Sequence, residues 1–273
     1  MTLSVPTLDA AACMDLMEAL TALAAEASAA ILHRAADPKA RHKPDGSPVT
    51  AADEEAEAII HSGLRRLAPD LPIIAEEAAS RKKPEPTGSE RSYFLVDPLD
   101  GTREFIAGRD EYTVNIAVVT AGVPTLGIIA APALGLLWRG VVGRGTERLT
   151  ISSDTKPVTI HARKPHDKEF VILASRSHME PRTLAYLDRF PDAKLFQCGS
   201  SIKFCRLAEG AADLYPRLAP THDWDIAAGH AILVAAGGTV RAPDGTALRY
   251  GSNDLLIPDF IASGAEFDAR FKA

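Results

Sequence analysis

Two hundred and seventy-three residues exceed the roughly 150 of an average domain and can bury a substantial core without staples. Hydrophobic residues at 46% and charged residues at 24% are ordinary for a globular protein and exclude wholesale disorder, a collagen-like chain and a disulfide scaffold. Thirty Lys and Arg against thirty-six Asp and Glu give a net charge of −6. The chain as a whole therefore has no electrostatic attraction to a nucleic-acid polymer or an anionic membrane, and a small anionic ligand needs local cations.

Leu16, Leu20, Leu23, Ala27 and Ile31 recur at helical spacing and predict an amphipathic helix from about 8 to 35, ended by Asp37-Pro38. Residues 42–48 read as a polar turn, and Thr50-Ala51-Ala52-Asp53 as a capping-box start. Ala56, Ile60, Leu64 and Leu67 then form the apolar stripe of a second helix, stopped by Pro69. Ile73-Ile74-Ala75 predicts a short buried strand, residues 80–91 a mobile polar loop, and residues 93–96 the next strand. No charged residue occurs from Tyr112 to Trp138, a stretch long enough to span a bilayer. Its Pro and Gly interruptions and its Val, Ile and Thr content predict buried sheet instead, an antiparallel meander over 113–120, 125–130 and 136–142.

Beyond about 140–165 strands and helices alternate: strands at 170–174, 194–197 and 212–215, helices at 181–190, 201–209 and 225–236. This rhythm divides the chain into residues 1–150, an N-terminal α+β domain, and residues 151–273, a C-terminal α/β domain. Cys13, Cys198 and Cys205 form no CxxC pair. Their odd, sparse count suits a reducing compartment, and free thiols are expected. The first residues carry Asp9 and Asp15 and no basic run, so no signal peptide is expected.

Three segments place acids at element ends: Glu76-Glu77 after a strand, Asp97-Pro98-Leu99-Asp100-Gly101-Thr102 after another, and Trp224-Asp225 opening an apolar helix. Charged side chains are rarely buried unless paired or metal-bound. If Glu76, Asp97, Asp100 and Asp225 converge, either protons or divalent cations must neutralise them, and all-oxygen ligands favour Mg²⁺, Mn²⁺ or Ca²⁺ over zinc. Pro98 turns the chain so that Asp97 and Asp100 face one point and the Leu99 carbonyl is freed as a ligand. Asp100 can cap a helix starting near Gly101, whose first N–H groups, at Gly101 and Thr102, would seat a phosphate. Metals, a helix start and a hydroxyl together point to phosphoryl transfer. The plain alternative is that Asp100 and Asp225 are helix caps and Glu76-Glu77 a solvated strand end.

The D-P-[IL]-D-G-T pattern at residues 97–102, W-D-x-A-A-G at 224–229, the acids at 76–77 and S-P-V-T-x-x-D at 47–53 resemble the signature of the inositol monophosphatase superfamily of Mg²⁺-dependent, lithium-sensitive phosphatases. Residues 44–50, 175–178, 199–205 and 214–217 are most similar to its 3′(2′),5′-bisphosphate nucleotidases of the bacterial CysQ type. Ala75 departs from the Ser or Gly common before the glutamates.

The resemblance implies an α/β (α+β) fold, a layered α-β-α-β-α sandwich, and hydrolysis of 3′-phosphoadenosine 5′-phosphate to AMP and phosphate. It implies two or three Mg²⁺ ions, with Mn²⁺ a substitute. Glu76, Asp97 and the Leu99 carbonyl would hold the first ion, and Asp97, Asp100 and Asp225 the second. Thr102 and Asp45 would orient the attacking water, with Glu76 also catalytic. Glu77 would reach a third ion or its waters, or else be solvated. Glu76, Leu99, Asp100, Gly101, Thr102 and Asp225 would also meet the substrate. Ser175, His178 and Lys203, with Gly199 and Ser200 as backbone donors, would bind the 5′-phosphate; Arg176 and Arg217 are weaker candidates. The partner is thus a small bisphosphorylated nucleotide, with no nucleic-acid polymer and no transmembrane segment. The chain would be a monomer or homodimer, cytoplasmic, with a peripheral place at the inner membrane left open. The rival readings are an inositol monophosphatase or other sugar-phosphate phosphatase, and a non-catalytic metal-binding module.

Overall fold

The computed structural model describes residues 7–36, 38–82, 91–151, 155–165, 169–176, 179–266 and 268–273. The chain opens with α1 (Ala10–Arg34), the hairpin β1 (Ala40–His42) and β2 (Pro48–Thr50), and α2 (Ala51–Leu67). Asp9 caps α1, accepting from Ala11 and Ala12 N–H, and the capping box of Thr50 and Asp53 opens α2. Next come β3 (Ile73–Ala75), α3 (Glu76–Arg81), β4 (Ser92–Asp100), α4 (Thr102–Ile106), β5 (Thr113–Thr120), β6 (Val123–Ala131), β7 (Leu136–Val141), β8 (Gly145–Thr150) and β9 (Val158–Thr159). Strands β3 to β9 form a seven-stranded sheet in chain order, antiparallel except for the β3–β4 pair. The uncharged stretch after Tyr112 is therefore sheet, as its composition predicts.

The second half supplies β10 (Val171–Ser175), α5 (Pro181–Leu187), β11 (Lys194–Cys198), α6 (Ile202–Ala208), β12 (Leu214–Arg217), β13 (Thr221–His222), α7 (Asp223–Ala235), β14 (Thr239–Arg241), β15 (Leu256–Ile257) and β16 (Phe260–Ser263). A five-stranded sheet runs β11-β10-β12-β16-β14, and β13 pairs with β15. The change of sheet falls between Thr159 and Val171.

Alternating side chains set the layers. Phe94, Val96, Val114, Ile116 and Ile128 face α1 and α2. Tyr93, Leu95, Ala117, Val119 and Ile129 point the other way and share one core with α6, α7 and the inner face of the second sheet. Ile172, Leu214 and Ile261, on that sheet's outer face, pack with Tyr186 of α5 and Phe271. The result is the expected α-β-α-β-α order. Helix α1 is long and apolar enough to cross a membrane by length and composition, but its buried stripe of Leu20, Ala24, Ala27 and Ile31 lies in the core with α2 and the sheet. Helix α7 is buried along nearly its whole length, as a helix apolar all round must be. All three cysteines are free.

Several short elements depart from the sequence reading. The polar turn at 42–48 is a hairpin that pairs Ala40 with Thr50. Helix α3 takes up the first two residues of the loop expected at 80–91, of which residues 83–90 lie outside the described residues. Helix α4 starts at Thr102 behind Gly101 in a left-handed conformation, with no side-chain cap. Asp100 therefore does not cap it.

Gly127 of β6 lies against α7: a Cβ there would stand 2.1 Å from the Ala228 carbonyl oxygen. Gly127→Ala should lower stability by roughly 1–3 kcal/mol or more, as overpacking does. A urea denaturation midpoint unchanged from the parent would contradict this packing.

Candidate active site

The three acid-bearing segments meet at one end of the sandwich, around a cavity of about 420 Å³ whose walls include Glu76, Asp100, Thr102, Ser200 and Asp225. Glu76 is placed by β3, which ends one residue before it, and Asp97 and Asp100 by the end of β4. The β4–β5 register slips between Asp97 and Asp100, so Pro98 and Leu99 form the irregular turn that aims both acids. Asp225 stands in the first turn of α7.

Each acid spends one oxygen on a local donor. Asp97 Oδ1 accepts from Leu99 N–H at 3.0 Å, and Asp100 Oδ2 from Ser201 N–H at 2.6 Å. Asp225 Oδ2 accepts from the Thr221 hydroxyl and from His222 N–H. Glu76 Oε1 pairs with Lys43 Nζ at 2.6 Å. Burial is the largest force on all three of Glu76, Asp97 and Asp100. It pushes Glu76 up to about 7, against the opposing pull of Lys43 and with help from Asp225 and Glu77. It pushes Asp100 up to about 7, with Asp225 adding to the rise. Asp97 is raised well above the usual carboxylate range by burial and then by Glu76, Asp100 and Asp225. The four acids thus feel one another, and the Asp97 and Glu76 side chains meet directly, although among the described residues no three His, Cys, Asp or Glu are gathered as ion ligands. Their donor set, four carboxylates with the Leu99 carbonyl beside them, is all hard oxygen and fits Mg²⁺ or Mn²⁺ rather than a thiophilic ion.

Three features were not legible in the sequence. The first is Lys43, delivered by the β1–β2 turn. Its buried ammonium lies 2.6 Å from both Glu76 Oε1 and Glu77 Oε1. Glu77 is therefore a buried, ion-paired residue and not a solvated strand end. The second is Glu57, which accepts from Glu77 and Ala78 N–H and so caps α3 from α2. The third corrects an expectation. Thr102 does not pair with Asp45: its hydroxyl lies 3.0 Å from Asp53 Oδ1 and 3.1 Å from the Leu99 carbonyl. Asp45 lines the same cavity, but its Oδ1 is taken by Ser47 N–H and Oγ, bonds that hold its carboxyl below the usual range. Asp53 uses its other oxygen in the α2 capping box; sequence reading recognised it as that cap and as the last residue of the S-P-V-T-x-x-D pattern, but gave it no role in the site.

The nucleotide-side candidates fare unevenly. Ser175, Gly199, Ser200, Lys203 and Arg217 line the cavity. His178 lies outside the described residues. Lys203 is not a surface cation: it is 2% exposed and donates to the Cys198 and Ser200 carbonyls at 3.1 and 2.6 Å. Gly199 does not offer its N–H to a ligand, because it donates to Glu111 Oε2 at 2.8 Å. Arg176 makes a bidentate pair with Glu111. The lysine and the glycine therefore shape the wall: the glycine N–H and two of the lysine's three N–H donors are already committed.

The chain matches the inositol monophosphatase family over residues 14–270, and it belongs to that family, whose enzymes are generally metal-dependent. It is 40% identical over 233 residues, 81% of this chain and 87% of the relative, to a 3′(2′),5′-bisphosphate nucleotidase CysQ of Shigella flexneri. It is likewise 40% identical over 227 residues, 81% of this chain and 87% of the relative, to the CysQ of Escherichia coli strain K12. Among solved structures it is similar to CysQ from Bacteroides thetaiotaomicron, a bacterial member of the inositol monophosphatase family, with TM-score 0.74 and 36% identity over 92% of this chain and 98% of that one. It is also similar to an inositol monophosphatase from Zymomonas mobilis, with TM-score 0.74 and 28% identity over 93% of this chain and 94% of that one.

The raised carboxylates make a pH prediction. Their folded-state pKa values exceed the unfolded ones, so their contribution to metal-free stability is full below about pH 4 and is lost as pH rises through about 7. A dication needs them ionised and relieves that loss. Saturating Mg²⁺ should therefore raise the melting temperature more at about pH 8 than at about pH 5.5. Equal shifts at both pH values in a thermal-melt titration would contradict the assignment.

Proposed function

We propose that the chain is a Mg²⁺-dependent 3′(2′),5′-bisphosphate nucleotidase that removes the 3′-phosphate of 3′-phosphoadenosine 5′-phosphate, giving AMP and phosphate. The observation that carries this reading is the meeting, on one cavity, of the acid cluster and the Thr102–Asp53 pair. The likeness to the CysQ nucleotidases over most of the chain supports the substrate class. A cavity of about 420 Å³ is of the size that takes a nucleotide.

Glu76, Asp97, the Leu99 carbonyl, Asp100 and Asp225 are the groups that would hold the ions, two or three in number, with Mn²⁺ suited to the same oxygens. When bound, a dication supplies Lewis acidity, lowering the pKa of water and offsetting phosphoryl charge. The remaining work falls to the chain. Thr102 Oγ1 has a carboxylate and a carbonyl as acceptors for its one proton. Its lone pair is then left to accept from a water, which fixes that water's orientation for attack on the 3′-phosphorus. Asp53, buried and held by Thr50, keeps the hydroxyl turned this way. Asp45 stands in the wall without sharing in this pair. Ser175, Ser200 and Arg217 face the nucleotide, and Arg217 adds positive charge near Asp100. We place the activity in the cytoplasm, in keeping with three free cysteines.

A phosphate-release panel with Mg²⁺ tests the substrate. The bisphosphate should exceed inositol 1-phosphate in kcat/KM by about 100-fold or more; parity would overturn the assignment in favour of a sugar phosphatase. Asp97→Asn should lose most activity, and a rate within about tenfold of the parent would contradict its place among the ligands. Asp53→Asn should cost about 100-fold in kcat, within the range for positioned proton-transfer groups, whereas Asp45→Asn should cost far less. The reverse ranking in steady-state assays would restore Asp45 to the water-orienting role.

A further inference from the structure

We infer that Glu111 is a positioning residue that sets the nucleotide-facing loop, residues 198–201, and through it the preference for a second phosphate; the substrate part of this inference rests on the proposed nucleotidase activity. The loop forms the cavity wall on the side of Ser175 and Lys203. Ser200 adopts φ +47°, a left-handed conformation that a non-glycine residue keeps only when its surroundings over-determine it. The surroundings do so. Lys203 Nζ holds the Cys198 and Ser200 carbonyls, and Asp100 Oδ2 holds Ser201 N–H. Between these anchors, Gly199 N–H has the Glu111 carboxylate, at 2.8 Å.

Glu111 is itself fixed from two sides. Arg176, at the end of β10, grips its carboxylate at 2.5 and 3.0 Å and reaches the Gln197 carbonyl at 2.9 Å. The Glu111 backbone carbonyl is wedged between two glycines: a Cβ on Gly101 or on Gly199 would stand 2.9 Å from it. One residue from the segment between α4 and β5 thus touches the phosphate turn at Gly101, the nucleotide loop at Gly199 and the second sheet through Arg176. Nothing in the proposed chemistry uses the Glu111 carboxylate. Its bonds act on the loop, so its loss should be felt in binding of the part of the substrate remote from the acids.

The test compares Glu111→Ala, Glu111→Gln and Arg176→Met in the full chain with Mg²⁺, using 3′-phosphoadenosine 5′-phosphate and adenosine 3′-monophosphate. For Glu111→Ala the KM of the bisphosphate should rise about tenfold with kcat within about threefold, while the monophosphate KM moves less than about threefold, a binding effect confined to one end of the substrate. Glu111→Gln, which keeps an acceptor for Gly199 N–H, should recover much of that loss, and Arg176→Met should fall between. Equal KM changes for both substrates, or a kcat loss alone, would overturn the inference. Should Glu111→Ala fail to fold, amide hydrogen exchange of Gly199 in Arg176→Met, which frees the Glu111 carboxylate from its second anchor, replaces it. Exchange faster than in the parent supports the clamp, and unchanged protection refutes it. This exchange measurement needs no turnover. A parent that ignores the bisphosphate would sink the nucleotidase reading, and with it the substrate part of the inference, while the exchange still decides the clamp.

Discussion

Mutual repulsion among Glu76, Asp97, Asp100 and Asp225 is the constraint around which the molecule is arranged. Two like charges about 4 Å apart repel by roughly 4 kcal/mol at an intermediate dielectric, and burial adds the cost of stripping each from water. Left to itself such a cluster would scatter. It is kept together because each acid sits at the end of an element whose body is locked in apolar packing: β3, β4 and α7 all contribute to the cores beside the large sheet. The cost of crowding is held down locally by hydrogen bonds to each acid: one backbone N–H each to Asp97, Asp100 and Asp225, the Thr221 hydroxyl to Asp225 as well, and Lys43 to Glu76. Stability is thus lent by the sandwich to a site that would not assemble on its own.

The layered order makes that loan possible. Helix α7 lies buried between the two sheets, and its contacts with β4, β5, β6 and β7 fix the direction of its first turn. Asp225 is therefore aimed by a long, rigid body and not by a loop. On the opposite side, the irregular turn at Pro98–Leu99 is anchored by β5 on both flanks, Asp97 opposite Asn115 and Asp100 opposite Thr113. Ser201 ties that same pair of strands to the second half of the chain, bonding Asn115, Thr113 and, through its N–H, Asp100. The acid-bearing wall and the wall formed by residues 198–201 are therefore one hydrogen-bonded unit.

Much of this was readable from residue pattern, and the exceptions share a cause. Helix α1, the capping box at Thr50 and the meander from Thr113 follow from local periodicity and turn chemistry, and the acids announced themselves by standing where a core edge normally carries none. The Thr102–Asp53 pair was missed because Asp53 serves two partners: Thr50, three residues away, and Thr102, forty-nine residues away. The local role was visible and hid the distant one, which only the packing of α2 against β4 creates. Lys43 and Lys203 were missed or misplaced for a related reason. A lysine is expected in water, and only the fold reveals that the β1–β2 hairpin and α6 bury these two against carboxylates and carbonyls. The short strands β13 to β16 carry too few residues for alternation to declare itself.

The commitments of these cations bear on how an acidic protein recognises an anionic substrate. Lys43 is paired with Glu76 and Glu77, Lys203 with two carbonyls, and Arg176 with Glu111. Cations so engaged are poor partners for a phosphate, since a new contact must replace an existing one in a low-dielectric site. What they do instead is hold backbone and carboxylates in place, in one case keeping Ser200 in a conformation it would not choose. On the proposed function, recognition of a second phosphate would depend on where the loop is held more than on how many positive charges the cavity displays. This is why residues whose charge is already satisfied, and which a search for free lysines would discard, are the ones that govern the shape of the cavity wall at residues 198–201.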